Sequence, residues 1–453
     1  MMEHMEGEST AQLLKETLRM AWPAVLESFF ISLAGMIDTL MVSTLGTYAV
    51  AAVGLTMQPK FISLAVFLSV NVAVSALVAR RRGQRDRIEA NRTLLTAIWF
   101  TLAACVVITL ASVLFAGAII SLCGSGPDTH DPAVTYFNII QGGMVFNVIS
   151  LVINAAQRGS GNTRIAMVTN VTSSLINVFF NYLLIGGHLG FPALGLRGAA
   201  IATVLGTAVA CVLSVRSLFR ANSYVSIPYI LEQKILPGLE VLSSIVRFAM
   251  NLLAENVAMR IGFVYTAVIA AGLGTDAFAA HNVGMNILGL TFSLGDGMQA
   301  AAVALTGRSL GENKPEKAKR YGSLCQKTGL VIAASVSVFL FLFARPIFSL
   351  FFTEEPVIEM GVMIAGYIMI IDFFQISQVI FSGCLRGAGD VKFTMRVALI
   401  SAAVIRTLVT WVFTSVVPLG LSGIWLGVFA DQVSRCILFA IRFRRGDWVS
   451  LKL

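Results

Sequence analysis

Gln157-Arg158-Gly159-Ser160-Gly161-Asn162-Thr163 returns as Leu385-Arg386-Gly387-Ala388-Gly389-Asp390, 228 positions further along the chain. The same interval carries Leu45-Gly46-Thr47 onto Leu273-Gly274-Thr275 and Ala51-Ala52 onto Ala279-Ala280. One spacing shared by three separated matches marks an internal duplication. The register loosens only around the alanines, where Val53-Gly54 is echoed by Val283-Gly284 two places late.

What is duplicated is strongly apolar. Of 453 residues, 57% are hydrophobic and only 13% charged, against about 25% charged in soluble domains; the mean hydropathy is +0.81. Such a chain cannot cover itself with polar groups in water and needs lipid around it. Apolar runs of about 20 residues, the length that crosses a bilayer core, recur throughout. Gly, Pro and charge punctuation predicts twelve of them: 18–44, 49–79, 93–122, 132–158, 165–187, 196–220, 243–271, 277–307, 321–352, 357–385, 392–417 and 422–443. The expected fold class is therefore an all-α membrane protein, twelve transmembrane helices in two six-helix lobes. An even number of helices per copy preserves orientation, so the repeat is parallel, about a pseudo-two-fold axis along the membrane normal. The expected division is residues 1–220 for the first lobe, 221–242 for a cytoplasmic linker and 243–453 for the second lobe.

The first 18 residues carry Glu3, Glu6, Glu8 and Glu16 and lack the basic start and short apolar core of a cleaved signal. Most of the 33 Lys and Arg fall in alternate loops, such as Arg80-Arg81-Arg82 with Arg85, Arg87 and Arg92, or Arg308 with Lys314, Lys317, Lys319 and Arg320. The opposite loops are neutral or acidic, as in Asp128 to Asp131 and Glu354-Glu355. The positive-inside rule then places both termini in the cytoplasm of a multi-pass protein of the inner (plasma) membrane. The net charge of +9 is thus a topology signal, and no nucleic-acid partner is expected. The six cysteines include no C-x-x-C pair and read as small hydrophobes. No H-E-x-x-H or P-loop motif is present and there are only four His, so an enzyme is not expected.

The paired R-G-x-G loops at Arg158 and Arg386, the Ala279-Ala280-His281-Asn282 segment and Pro23 on the first helix resemble the multidrug and toxic compound extrusion (MATE) family, its NorM-like bacterial branch in particular, over about residues 15–445. The resemblance implies an antiporter that expels organic, often cationic, drug-like compounds in exchange for Na+ or H+, with no cofactor beyond that coupling ion. A lipid-linked oligosaccharide flippase of the same superfamily is the alternative cargo class; it predicts a basic cavity. Membrane lipid and a small-molecule substrate are the expected partners, and the chain is expected to be a monomer. Parallel-repeat folds place the substrate path between the halves and rock one against the other.

Ionisable side chains at membrane depth are costly and mark function by default. Glu27, Asp38, Glu255, Asp296, Asp372 and Asp431 are the acids, with Lys60, Arg260, Arg406 and Arg435 as bases. Asn177 and Asn181, i and i+4 on one helix, share a face. Together with Asp38 and Thr203 they resemble the family's amino-lobe cation site, though some relatives carry Asp where Asn181 stands. A helix-gluing role for the two amides is the other reading. Glu255 and Asp372 lie near the middles of their predicted spans, at midplane depth, and resemble the carboxy-lobe acids of the sodium-type branch, with Tyr367 nearby. Arg260 or Arg406 is a candidate to neutralise one of them. Glu27 lies 228 residues before Glu255 and eleven before Asp38, about 16 Å along one helix face, so a polar stripe along helix 1 is expected to face the central cavity. Pro23 and Pro59 are candidate bending points within their helices.

Overall fold

The structure, a computed structural model, describes residues 9–220 and 223–451. The acidic residues Glu3, Glu6 and Glu8, and residues 221–222 of the expected linker, lie outside it. Among the described residues every regular element is helical. In chain order these are α1 (Thr10–Ser43), α2 (Thr47–Gly83), α3 (Arg87–Leu114), α4 (Ala116–Leu122), α5 (His130–Gly142), α6 (Met144–Gly159), α7 (Thr163–Gly186), α8 (Leu196–Ser217), α9 (Ile227–Glu232), α10 (Leu239–Gly272), α11 (Thr275–Gly311), α12 (Pro315–Ser349), α13 (Glu355–Gly387), α14 (Val391–Ala398), α15 (Arg406–Trp411) and α16 (Leu421–Arg445). Two π-helical stretches, Leu399–Ile405 and Val412–Val416, flank α15 and join α14 and α15 into one span.

Among the described residues eleven helices are long and apolar enough to cross a membrane, twelve when the bent pair α5–α6 is taken as one span. That span was expected as one helix over 132–158. It breaks by 44° at Gly142-Gly143, where a β-carbon on Gly143 would stand 2.4 Å from Val204, so α8 occupies the space a side chain would need. The run 93–122 also divides, at Phe115. By contrast Pro23 and Pro59 sit inside continuous helices.

The chain forms two compact units. One comprises Leu26–Ala249; the other comprises Met250–Leu453 with the chain up to Val25. The divisions fall within α1 and α10, not in a loop. In each unit one helix is central: the apolar windows of α2 and α11 are each 61% buried, whereas those of α3 and α12 are 22% and 17% buried. The side chains left outside on α3 and α12, Val106, Val107, Leu110, Val338, Phe341 and Leu342 among them, are apolar and more than half exposed. Lipid is the solvent that makes such a surface stable.

The duplication is visible atom by atom. After α6 the chain turns through Gly161 at φ 81°, and Asn162 N–H donates to Gln157 O; after α13 it turns through Gly389 at φ 89°, and Asp390 N–H donates to Leu385 O. These are the same six-to-one C-cap, which needs a left-handed residue best supplied by glycine. Gly159 and Gly387, just before, let α6 and α13 touch a neighbouring backbone. A β-carbon at Gly159 would lie 2.4 Å from Ser75 O, and at Gly387 2.6 Å from Val303 O; Ser75 and Val303 are themselves 228 apart. Gly159→Ala and Gly387→Ala are each expected to cost about 1–3 kcal/mol through this overpacking. Thermal melting of the purified protein in detergent checks it; unchanged midpoints in both would show that the helices separate freely.

Candidate functional site

In the unit Leu26–Ala249, α1, α7 and α8 bring four of the expected residues into one chain of hydrogen bonds. Asn181 Nδ2 donates to Asp38 Oδ1 and, at 3.5 Å, to Asn177 Oδ1; Asn177 Nδ2 donates to Thr203 Oγ1 at 3.1 Å. Thr203 in turn donates to Ala199 O within α8. The carboxylate fixes which end of the Asn181 amide faces it, since it can only accept while ionised. That leaves Asn181 Oδ1 buried with no partner among the described residues. A carboxylate beside an uncommitted amide oxygen is a donor set for a hard monovalent cation or a proton. Thr203 also borders a cavity of about 70 Å3 lined by Lys60, Ile140, Asn147, Val204 and Thr207 among others. That volume holds a few waters and falls well below the roughly 300–1,000 Å3 of a drug pocket. Lys60 therefore lines a small, mostly apolar cavity beside Thr203.

In the other unit, Asp372 on α13 is fully buried and accepts from Thr291 Oγ1 of α11 at 2.7 Å. Its second oxygen, Oδ2, is buried with no partner among the described residues, as is Gln375 Oε1 one turn on. Tyr367, on the same helix, is partly buried and packs against the apolar core of that unit.

Glu27 and Glu255 have different surroundings. Arg158 Nη1 donates to Glu27 Oε1 at 2.7 Å and Arg386 Nη2 donates to Glu255 Oε1 at 2.8 Å. Each arginine spends another nitrogen on a side-chain amide, Asn71 at 3.1 Å and Gln299 at 3.0 Å. All three members of this Glu–Arg–amide triad recur 228 residues later. Asn170 adds a bond to Glu27, and Thr394 adds one to Glu255. Arg260 and Arg406 were the expected neutralisers and are not the partner of Glu255. Five residues separate Arg260 from Glu255, about 140° around α10, and Arg406 pairs instead with Asp431.

The triads also separate Glu255 from Asp372. Glu255 sits midway along α10, but α10 has 34 residues, about 51 Å against a hydrocarbon core of about 30 Å. Its partner Arg386 lies in the last turn of α13, fourteen residues or about 21 Å along that helix from Asp372. Glu255 thus meets the last turn of α13 and shares no partner with Asp372. In the same way Glu27 meets the last turn of α6. Asp38 and Asp372 take part in none of the ion pairs formed among the described residues.

The MatE family model matches this chain twice, over residues 23–183 and 252–412. The chain belongs to the MatE family. Two matched segments of equal length place the family unit on each half of the duplication, and each contains one Glu–Arg–amide triad. Among relatives, a Thermotoga maritima protein named "Probable multidrug resistance protein NorM" is 26% identical over 445 residues, 98% of this chain and 95% of its own length. A Bradyrhizobium diazoefficiens protein of the same name is 26% identical, covering 95% of this chain and 92% of its own. The solved structure "Outward-facing conformation of a multidrug resistance MATE family transporter of the MOP superfamily" superposes with a TM-score of 0.89 at 24% identity, over 97% of this chain and 98% of that one.

Within this MatE chain the sequence reading missed Thr291, Thr394, Asn71, Gln299 and Asn170. A lone hydroxyl or amide in an apolar helix carries no pattern. Arg158 and Arg386 did carry a signal: they keep the 228 spacing that Glu27 and Glu255 keep, so two charges of opposite sign move together.

Proposed function

We propose that this protein is a secondary active antiporter of the inner membrane, with cytoplasmic termini, that exports organic, often cationic, drug-like compounds in exchange for Na+ or H+. Alternation of its two halves by a rocker-switch motion carries the exchange. The relatives' names support the cargo class. The observation that carries the coupling is Asp38: a carboxylate at membrane depth with no arginine, accepting from the Asn181 amide and set beside that amide's unclaimed oxygen. Such a group binds a small cation or a proton and releases it when its surroundings change. Glu27 and Glu255, held by arginines, are fixed by comparison. Na+ and H+ compete for one carboxylate, so either gradient supplies the driving force through the same residue.

The test is ethidium efflux from proteoliposomes carrying the purified protein, with a Na+ gradient and a pH gradient imposed separately. Uphill dye movement driven by at least one gradient is the expected result. Dye movement insensitive to both, or flipping of a polyprenyl-pyrophosphate-linked lipid without dye movement, would refute the reading.

A further inference from the structure

The cation cluster on α1, α7 and α8 has a mate in the other half, and its polarity is reversed. Register is fixed by backbone contacts. A β-carbon at Gly198 would meet Leu184 O at 2.4 Å, and one at Gly423 would meet Phe413 O at 2.3 Å. Gly195 and Gly420, which open α8 and α16, share φ and ψ within a degree (56°, −128° and 57°, −128°). The spacing is therefore 225 for α8 onto α16 and 229 for the end of α7 onto α15, the π-helical Leu399–Ile405 having absorbed one residue. At these spacings Asn177 maps to Arg406 and Asn181 to Thr410; at 228, Asp38 maps to Thr266. Where one unit places a carboxylate and two amides, the other places a hydroxyl, a guanidinium and a second hydroxyl.

The residues around Arg406 confirm an excess of donors. Arg406 is fully buried. Its Nη1 reaches Asp431 Oδ2 at 3.5 Å and its Nη2 reaches Thr266 Oγ1 at 3.3 Å, both long. Asp431 is already claimed by Arg435 through two bonds, from Nε at 2.8 Å and from Nη2. Two guanidiniums thus share one carboxylate, leaving one positive charge unmatched in the interior of a membrane protein. Arg406 Nε, Thr410 Oγ1, Trp425 Nε1 and His281 Nδ1 are all buried with no partner among the described residues. His281 packs edge-on against Trp425 and lies within electrostatic reach of Arg406. Nε of arginine and the indole N–H can only donate, and buried donors are ordinarily satisfied. Arg406 also sits between two π-helical stretches, features that cluster at functional sites.

We infer that the Arg406–Arg435–Asp431 cluster, with Thr266 and Thr410, is a binding site for one monovalent anion, the polarity-reversed counterpart of the Asp38 cation site. One unmatched charge calls for one negative charge, and the unpartnered obligate donors Arg406 Nε and Trp425 Nε1 call for an acceptor. A free halide and a carboxylate group offer the same chemistry. The inference concerns a site apart from Asp38 and does not depend on the antiport reading.

The test is equilibrium dialysis of the purified full chain in detergent against radiolabelled chloride in a sodium gluconate background, with acetate as the second probe. The wild type is expected to bind one chloride, or one acetate, per chain. Arg406→Gln should weaken that binding at least tenfold and Thr410→Val severalfold, with monodisperse gel-filtration profiles verifying that each variant is folded. Melting supplies an independent readout, since a ligand that binds the folded state raises its midpoint. Added chloride or acetate should raise the wild-type midpoint and leave that of Arg406→Gln unmoved. Asp431→Asn, which leaves two unmatched guanidiniums, should bind anion more tightly. Absence of saturable binding of either probe overturns the inference. So does equal binding by Arg406→Gln, or a midpoint that Arg406→Gln raises equally with and without anion, which would mark the guanidinium as a charge left without a partner.

Discussion

Asp38→Asn is expected to reduce gradient-driven dye efflux from proteoliposomes to background while leaving insertion and folding intact. The substitution keeps the size of the side chain and keeps an oxygen to accept from Asn181 Nδ2, so the α1–α7 contact survives. What it removes is the charge. A neutral amide neither takes up a proton near neutral pH nor offers a Na+ ion the full negative charge that repays dehydration. Thr203 and Asn177 remain, but alone they are neutral dipoles, and removing the one ionised ligand of a half-buried cation site is worth more than any single hydrogen bond. Na+-driven and H+-driven efflux should therefore fall together, by more than tenfold. The variant's gel-filtration profile and melting midpoint should match the wild type. Efflux at the wild-type rate under either gradient would remove Asp38 from the coupling step and leave Asp372, with its unpartnered Oδ2, as the carboxylate to examine.

How much of this was legible beforehand depends on whether a residue announces itself by spacing. Gly159, Gly161, Gly387 and Gly389 did, because a close backbone contact and a left-handed turn each admit little but glycine, and they occur twice. Asn177 and Asn181 did, because two amides one turn apart in an apolar helix have to face the same way, and Asn181 bonds both to Asp38 and to Asn177. The break at Gly142-Gly143 did not. Two adjacent glycines within an apolar run are compatible with a straight helix, and only the approach of Val204 decides otherwise. The depth of Glu255 is not set by the sequence for a related reason: mid-helix equals mid-bilayer only when the helix is no longer than the bilayer is thick, and α10 is longer. Arg406 is a candidate mate for Glu255 or Asp372 on sequence alone, which carries charge without direction, yet it pairs with Asp431. It sits between the two π-helical stretches Leu399–Ile405 and Val412–Val416, and nothing in their residues forecasts a π turn.

The Glu27–Arg158 pair gives the largest stability effect. Both side chains are nearly buried, 6% and 12% exposed, so neither charge has water to fall back on when the other is removed. Arg158→Gln leaves the Glu27 carboxylate with only the Asn170 amide, at 2.6 Å, to offset its burial, and is expected to cost about 3–5 kcal/mol. Glu27→Gln leaves Arg158 with Asn71 and should be similarly severe, since a guanidinium without a carboxylate is equally stranded. The double variant removes both charges and leaves amides that hydrogen-bond to one another, so it should recover most of the loss. That recovery separates an ion pair from two unrelated packing contacts. The duplication supplies an internal control, because Glu255→Gln and Arg386→Gln alter the corresponding triad, with Gln299 in the place of Asn71 and Thr394 supplying the extra bond. The same pattern of costly singles and a milder double is expected there. Melting midpoints of the six variants in one detergent decide the matter. If the double losses equal the sums of the singles in both triads, the charges are not coupled, and the recurrence of Glu, Arg and amide at a spacing of 228 reflects descent from one ancestral half without a shared energetic role.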